Sequence, residues 1–359
     1  MHGNAGKGEQ MEPQEHVAGL KAEIEHELSS FFEAKTGSIQ DGTVRTIAEL
    51  VRDYTLRGGK RIRPILLVLG HDLFEGHDEN VVKASISIEI SQSYFLIQDD
   101  IMDQSPMRRG MPSFHVELYD KFFSGEKDGK RLAESIGVIA SDLAESYCHQ
   151  VLFESGISDK QANIGDSELS SIFEVTGNGQ LIDVFSPFQK EFKTNDLIRL
   201  HLWKTARYTV QGPLVMGARM SLREKNLDQL SYFGNLAGVA FQIYDDVLGL
   251  FGEQGEIGKS IKSYVNEGKR TLLMLKAIEN SSESDARFIS DCLRSGNVSD
   301  DEFNRLKHIV ESSGSLDYST NLVEKLNRRA KEYLSEVDGN PEIKKILSWV
   351  SDFIIRRKN

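Results

Sequence analysis

The strongest constraint on the fold is a helical spacing of apolar residues that recurs from His16 almost to the end of the chain. Near the start, Val17, Leu20, Ile24 and Leu28 lie three or four residues apart, with charged residues between them. This period places them on one face of an amphipathic helix. Sustained period-2 alternation is missing, and only 7 prolines interrupt the chain. The pattern predicts an all-α fold.

The same pattern predicts the domain organisation. Residues 1–15 are glycine-rich and polar, lack the apolar core of a signal peptide, and are interpreted as a disordered leader. No internal repeat and no long linker interrupts residues 16–359, so they are predicted to form a single all-helical domain. A division into two domains near Ser186 is the alternative.

Composition excludes several classes of protein. The net charge of -12 argues against nucleic-acid binding, which needs a basic surface, yet it is compatible with a diphosphate neutralised by Mg²⁺. No apolar run approaches the roughly 20 residues that span a bilayer. The two cysteines, Cys148 and Cys292, have no metal-type spacing, which favours a reduced, cytoplasmic protein.

An acidic cluster ends an apolar stretch within SQSYFLIQDDIMDQSPMRRGMP, at Asp99, Asp100 and Asp103. Asp99 and Asp103 are four residues apart and therefore share one face of a helix. Two like charges so placed destabilise each other unless a cation lies between them, and oxygen-only ligands suit Mg²⁺. For this cluster alone, a solvated helix end is the simpler interpretation.

A second acidic pair, Asp245 and Asp246, interrupts the apolar stretch LAGVAFQIYDDVLGLFG. Two acid pairs, each set into an apolar helix, are hard to explain as solvated surfaces. If the pairs face each other across a helical bundle, they form a divalent-metal site for a diphosphate leaving group.

Basic residues accompany both acidic pairs. Any one lysine is most simply a surface charge. Together with the acids, however, they indicate two diphosphate sites, one held through metals and one held directly by Arg and Lys. The residues concerned are Lys60, Arg61 and Arg63 within RGGKRIRP, Arg108, Arg109, Lys204 beside Thr205, Lys259, Lys269 and Arg270.

These motifs resemble the trans-isoprenyl diphosphate synthase family, the farnesyl and geranylgeranyl diphosphate synthases, from about residue 20 to the last few residues. The resemblance implies a single bundle of long antiparallel helices around a deep central cavity, and a homodimer. The motifs occur in the family's order: GGKRIRP at Gly58–Pro64, DDIMD at Asp99–Asp103, RRG at Arg108–Gly110, GQLID at Gly179–Asp183, KTA at Lys204–Ala206, FQIYDD at Phe241–Asp246, and EGKRT ending at Thr271.

The implied reaction is head-to-tail condensation of isopentenyl diphosphate with dimethylallyl, geranyl or farnesyl diphosphate. The allylic diphosphate ionises, isopentenyl diphosphate attacks the carbocation, and the departing diphosphate takes the proton. By the resemblance, three Mg²⁺ ions are bound with substrate. The implied metal ligands are Asp99, Asp103 and Asp245, and the implied catalytic residues are these three with Asp100, Lys204, Thr205 and Gln242. The allylic diphosphate would be bound by Arg108, Lys204 and Lys259. Isopentenyl diphosphate would be bound by Lys60, Arg63, Gln92 and Arg109, and Lys269 would be a further substrate-binding residue.

Product length is predicted from Tyr94 and Phe95, five and four residues before Asp99. At a rise of about 1.5 Å per residue, they lie about 6 to 7.5 Å below that carboxylate. Ordinary aromatic core packing is the simpler interpretation of such a pair. In the family, however, these positions resemble the chain-length gate, and aromatics at both resemble farnesyl-producing members. Farnesyl diphosphate is therefore expected, and Gly249 in DDVLG favours geranylgeranyl diphosphate as the alternative.

Two other functions fit part of the pattern. A terpene cyclase also ionises an allylic diphosphate, but typically has one Asp-rich motif and no GGKR-type second site. A non-catalytic partner subunit of a synthase would lose acids of the first motif, and DDIMD is intact. One departure from the family pattern is Tyr264 in SYVNEGK, where an acid is usual, and it predicts a weaker metal site.

Overall fold

The computed structural model describes residues 12–189, 191–223, 227–252 and 262–356, except the side chains of residues 263 and 264. Two short strands, β1 (Met107–Arg108) and β2 (Met111–Pro112), pair antiparallel. The helices are α1 Pro13–Ser38, α2 Gly42–Leu56, α3 Ile62–Asp72, α4 Glu79–Met102, α5 Phe114–Leu118, α6 Gly129–Glu154, α7 Asp159–Phe185, α8 Thr194–Leu200, α9 Gly212–Met220, α10 Asp228–Phe251, α11 Ser263–Asn266, α12 Leu272–Asn280, α13 Glu283–Ser295, α14 Asp300–Ser312, α15 Ser315–Glu336 and α16 Pro341–Ile355.

Three helical segments that are not α-helical connect these elements. A π-helical segment, Tyr119–Phe123, continues α5, a 3₁₀ turn, Ser186–Phe188, comes after α7, and a second π-helical segment, His201–Gln211, joins α8 to α9. The predicted all-α class is confirmed. Helix α1 begins at Pro13, inside the segment interpreted as a leader, because proline suits the first helical turn. Residues 1–11 lie outside the described ranges.

Helix α4 is central and is buried on most of its faces. Its sequence alternates apolar Ile86, Ile88 and Ile90 with polar residues, a spacing that does not single out one helical face. The hydroxyls of Ser85 and Ser91 donate hydrogen bonds of 2.6 and 2.8 Å to carbonyls three residues earlier. These bonds satisfy the hydroxyls of Ser85 and Ser91 within the helix, which favours the enclosure of α4 by its neighbours.

The main hydrophobic core joins helices from both sides of Ser186. Ile24 and Ile90 belong to it, and so do Phe233 and Leu347 from the later part of the chain. The core therefore crosses the position at which a two-domain division was the alternative. A smaller cluster forms separately between the end of α10 and helices α11 to α14.

Two glycines allow α3 and α9 to cross in backbone contact. A Cβ atom on Gly217 would lie 1.8 Å from the Leu67 carbonyl oxygen, and one on Gly70 would lie 2.1 Å from that of Leu214. Such distances are far inside van der Waals contact, and both partners are backbone atoms. The crossing therefore requires glycine at these positions.

We expect Gly217→Ala to lower the free energy of unfolding by about 1–3 kcal/mol, because the added methyl group forces the helices apart. Urea denaturation measures the change. Gly19→Ala is the control, since an exposed Cβ on α1 meets nothing within 4 Å. That control is expected to gain about 0.5–1 kcal/mol from helix propensity. Similar values for both variants would contradict the close crossing.

Candidate active site

A cavity of about 880 Å³ opens between α4, α7, the π-helical segment His201–Gln211 and α10. The helices bring together side chains that lie far apart in the sequence. The predicted site residues that line it are Arg63, Gln92, Tyr94, Phe95, Asp99, Arg108, Lys204, Thr205, Gln242, Asp245 and Lys269. The predicted central cavity is therefore present, and side chains from both acidic pairs reach it.

Asp100 does not line this cavity among the described residues, although its neighbour Asp99 does. Successive residues on a helix point in different directions, and Asp100 is completely buried on the inner side of α4. It accepts a 2.8 Å hydrogen bond from the Tyr54 hydroxyl and hydrogen bonds from the Arg108 guanidinium. Asp100 therefore holds the Arg108 guanidinium, and its predicted catalytic role stays a prediction.

The carboxylate pair on α4 is electrostatically strained. Burial, reinforced by the charge of nearby Asp99, raises the pKa of Asp103 above its usual range. Oδ2 of Asp103 is buried and accepts no hydrogen bond, and Nζ of Lys269 lies 3.6 Å from it. A buried oxygen in this state is costly unless a cation compensates it.

Lys204 faces Asp99 from the opposite side of the cavity. Its Nζ lies 3.2 Å from Asp99 and 2.5 Å from Asp183. Burial alone would lower the pKa of Lys204, but the two carboxylates outweigh burial and the pKa is raised. The ammonium therefore remains charged beside Asp99, a predicted metal ligand.

A close helix contact places Lys204 in this position. A Cβ on Gly179 would lie 2.4 Å from the backbone nitrogen of Lys204, so glycine is needed for α7 to approach the π-helical segment. On the same helix, Gln180 donates a 3.2 Å hydrogen bond to Asp99. Sequence reasoning gives Gln180 and Asp183 no role, although the motif GQLID contains both. An acid four residues after a packing glycine was the available signal.

Lys269 is a second partly buried cation beside the acidic cluster of α4. Its Nζ lies 2.7 Å from Glu267 and 3.6 Å from Asp103. Burial opposes its charge, but Glu267 and Asp103 outweigh burial and raise the pKa of Lys269. Lys259 lies outside the described residues, as does the side chain of Tyr264, so their predicted roles stay predictions.

Three of the four residues predicted for the second diphosphate line the cavity or a narrow pocket beside it, namely Arg63, Gln92 and Arg109. Gln92 and Arg108 line both the cavity and a narrow adjoining pocket, and Arg109 lines the pocket. Burial, together with the positive charges of Arg61 and Arg63, lowers the pKa of Arg109. Nζ of Lys60 lies 4.8 Å from the centre of the Phe353 ring on α16. Cations held this close together favour an anion between them.

Arg61 has a different function from its basic neighbours. Its side chain is 1% exposed and lies 2.6 Å from Glu89, which is 2% exposed. It also donates a 3.1 Å hydrogen bond to the Thr55 carbonyl. Arg61 points into the protein and therefore anchors the segment between Lys60 and the first turn of α3, where Arg63 lies.

The predicted gate residues, Tyr94 and Phe95, belong to a cluster of four aromatic rings. The ring centres of Tyr94 and Phe95 are 4.8 Å apart, and each lies 5.3 Å from the ring of Phe173 on α7. Tyr208 lies 4.8 Å from Phe95. All four line the cavity. Phe173 and Tyr208 were missed because they are distant in sequence and their contacts arise only from helix packing.

The donor set fits a divalent metal. Asp99 and Asp245 line one cavity from different helices, and the Asp103 oxygen lacks a hydrogen-bond donor. Carboxylate oxygens are the ligands that Mg²⁺ prefers. In the described part of the chain, no three His, Cys, Asp or Glu side chains are gathered closely enough to hold an ion by themselves.

The helical bundle surrounds one cavity that is lined by carboxylates from two helices, by buried cations and by aromatic rings. These features define an enzyme class that acts on organic diphosphates with divalent metals. The chain belongs to the polyprenyl synthetase family, whose model matches residues 44–310. This membership confirms the resemblance to the trans-isoprenyl diphosphate synthases. No helix in the described ranges is both long enough and apolar enough to cross a membrane.

The chain is similar to relatives over most of its length. A geranylgeranyl diphosphate synthase of Sulfolobus acidocaldarius is 30% identical, over 92% of this chain and 99% of the relative. A geranylfarnesyl diphosphate synthase of Aeropyrum pernix is 28% identical, over 84% and 91%. A solved geranylgeranyl pyrophosphate synthase from Corynebacterium glutamicum, complexed with isoprenyl diphosphate and magnesium, gives a TM-score of 0.89 at 27% identity, over 94% and 99%.

Proposed function

We propose that this protein condenses isopentenyl diphosphate head to tail with an allylic diphosphate and makes a short all-trans prenyl diphosphate. The observation that carries the proposal is the convergence of Asp99, Lys204 and Asp245 on one cavity, with the basic residues of a second anion site at its end. That second site, around Arg109 and Gln92, distinguishes the proposal from a terpene cyclase, which has one diphosphate to bind.

The residues around the cavity have distinct roles in this reaction. Asp99, Asp103 and Asp245 would hold Mg²⁺, three ions with substrate bound, and the metal would neutralise charge that develops on the leaving diphosphate. Arg108 and Lys204 would bind the same diphosphate directly, together with Lys269. The C–O bond then breaks, the electron pair leaves with the diphosphate, and an allylic cation remains in the apolar part of the cavity. The aromatic floor excludes water that would quench the cation.

The second substrate would be held by Lys60, Arg63, Gln92 and Arg109. Its double bond attacks the allylic cation, and the departed diphosphate accepts the proton that is lost. A histidine base is therefore unnecessary. Lys259 would bind the allylic diphosphate by resemblance to the family, and Asp100 would position Arg108.

Incubation with radiolabelled isopentenyl diphosphate and each allylic primer, followed by chromatography, tests the function. A labelled prenyl diphosphate that is longer by five carbons supports condensation. Hydrocarbon formed from the primer alone would identify a terpene cyclase instead. An absence of turnover that is relieved only by adding a second synthase would identify a regulatory subunit.

A pair of lysine variants distinguishes the two proposed anion sites. Lys60→Ala should raise the KM for isopentenyl diphosphate more than that for the allylic substrate, and Lys204→Ala should do the reverse, since each removes a charge-assisted contact to one substrate. Steady-state kinetics with each substrate varied in turn measure the effects. Lys193→Ala is the control, because that side chain is 75% exposed and outside the cavity. Equal effects of both variants on both substrates would show the assignment to be wrong.

Farnesyl diphosphate is the proposed product, because four aromatic rings line the cavity and two of them, Tyr94 and Phe95, precede Asp99 by about one helical turn. Phe95→Ala, Tyr94→Ala and Phe173→Ala should each lengthen the main product by opening space there. Phe32→Leu is the control, since Phe32 is a fully buried core ring on α1. Unchanged product length in all three variants would place the floor elsewhere. Geranylgeranyl diphosphate is the second candidate, favoured by the name of the 30% identical relative.

A homodimer and a cytoplasmic location complete the proposal. Helices α6 and α7 expose large apolar side chains, among them Ile139 at 60%, Phe153 at 57% and Phe185 at 59%. Apolar surface of this kind favours association. Both cysteines are buried and unpaired, which suits a reducing compartment.

A further inference from the structure

A chain of polar side chains runs along the cavity wall. The Thr205 hydroxyl donates a 2.8 Å hydrogen bond to Oε1 of Gln242, and Nε2 of Gln242 donates a 2.9 Å hydrogen bond to Oδ1 of Asp246. Nε2 of His201 lies 3.4 Å from the other carboxylate oxygen, Oδ2. All four residues line the cavity.

The carboxylate determines the direction of every bond in this chain. A carboxylate accepts hydrogen bonds and cannot donate them, so Asp246 requires the amide NH₂ group of Gln242 to face it. The amide oxygen then faces Thr205 and accepts the hydroxyl proton. The hydroxyl proton of Thr205 is thereby occupied, and oxygen lone pairs are what Gln242 and Thr205 can present to the cavity.

His201 lies at the far end of the chain. It begins the π-helical segment that carries Thr205, and its side chain is 6% exposed, as is that of Asp246. Neither Nδ1 of His201 nor Oδ2 of Asp246 has a hydrogen-bond partner, although both atoms are buried. Nε2 of His201 and Oδ2 of Asp246 are in contact at 3.4 Å without forming a hydrogen bond. Buried polar atoms left without partners on the cavity wall are costly for the fold and are retained where they serve the site.

We propose that His201 is a positioning residue that confines Asp246 to Gln242, so that the chain presents oxygen atoms, and never N–H groups, to the allylic cation. The inference rests on the proposed function, since it needs a cation to form in this cavity. Oriented dipoles of this sign stabilise positive charge at no reorganisation cost when the C–O bond breaks. A reversed Gln242 amide would point its NH₂ group towards the cation and raise the barrier.

Binding of two substrate analogues tests this assignment without turnover. In one, a tertiary ammonium replaces the carbon that becomes cationic. The other, an allylic thiolodiphosphate, keeps the same shape and the same diphosphate but has no positive charge at that position, and is called the neutral analogue. Titration calorimetry should show the ammonium analogue binding about tenfold to a hundredfold more weakly to His201→Leu and to Asp246→Asn than to the wild type. The affinity for the neutral analogue should stay unchanged. His201→Gln, which retains an N–H group, should restore most of the loss.

The same variants are expected to lower kcat while both KM values remain unchanged, because the interaction matters only as charge develops. His71→Leu is a matched control: His71 is also buried, lies 3.3 Å from the carboxylate of Asp72, and belongs to α3 outside the cavity. It should alter neither affinity.

Equal weakening of both analogues, or no weakening of either, in His201→Leu would overturn the inference and leave the proposed function intact. A wild-type protein that binds neither analogue and forms no labelled product would instead overturn the proposed function, and this inference with it.

Discussion

Replacing Asp99 or Asp245 with alanine is expected to lower turnover by at least about a thousandfold, roughly 4 kcal/mol of activation free energy. The two carboxylates line the cavity from α4 and α10, so each substitution removes one side of the proposed metal site. Both variants should fold, because the two carboxylates line a cavity and, without Asp99, Lys204 and Arg108 keep Asp183 and Asp100 as partners. The measurement is the initial rate of labelled product formation at saturating substrates, with circular dichroism to confirm folding.

Asp291→Ala provides the matched control, since that carboxylate is 69% exposed and pairs with Arg294 at the protein surface. EDTA should abolish turnover of the wild type, and added Mg²⁺ should restore it. If Asp99→Ala and Asp245→Ala both retained activity within about tenfold of the wild type, the two-cluster mechanism would have to be abandoned.

Replacing Arg61 with methionine should destabilise the protein by about 3–5 kcal/mol, because Glu89 would be left as an unpaired buried charge. The two side chains are 1% and 2% exposed and lie 2.6 Å apart. Urea denaturation at neutral pH measures the loss. Since Arg61 anchors Lys60 and the first turn of α3, which carries Arg63, the KM for isopentenyl diphosphate should also rise.

A double variant distinguishes the effect of the buried charge on stability from the effect of side-chain packing. Arg61→Met with Glu89→Leu should recover most of the stability, because apolar residues of similar volume often replace a buried ion pair without loss. Arg52→Met serves as the exposed control, since Arg52 pairs with Asp53 at the surface and should cost little. A loss in Arg61→Met as small as in that control would show that the pair contributes little to the fold.

The spacing of residues within one helix was predictable from the sequence. The period of three or four, and the shared face of Asp99 and Asp103, depend only on the geometry of a single helix. So does the placement of Tyr94 and Phe95 below Asp99. For this reason the all-α class and the residues of each motif were recognised.

The contacts between helices were not predictable in this way. Asp100 turned out to bind Arg108 and Tyr54, and the aromatic floor gained Phe173 from α7. Asp183 became a partner of Lys204 although 21 residues separate them. Each of these contacts depends on which faces of two helices meet and how closely.

The sequence by itself determined the helical class, the motifs and, through them, the family to which the chain belongs. The tertiary structure alone decided that Asp99 lines the cavity while its neighbour Asp100 is buried against Arg108, and that Asp246 accepts a hydrogen bond from Gln242. The physical reason is that helical periodicity fixes directions about one axis only. The approach of two axes depends on packing at sites such as Gly179, where a single methyl group would not fit.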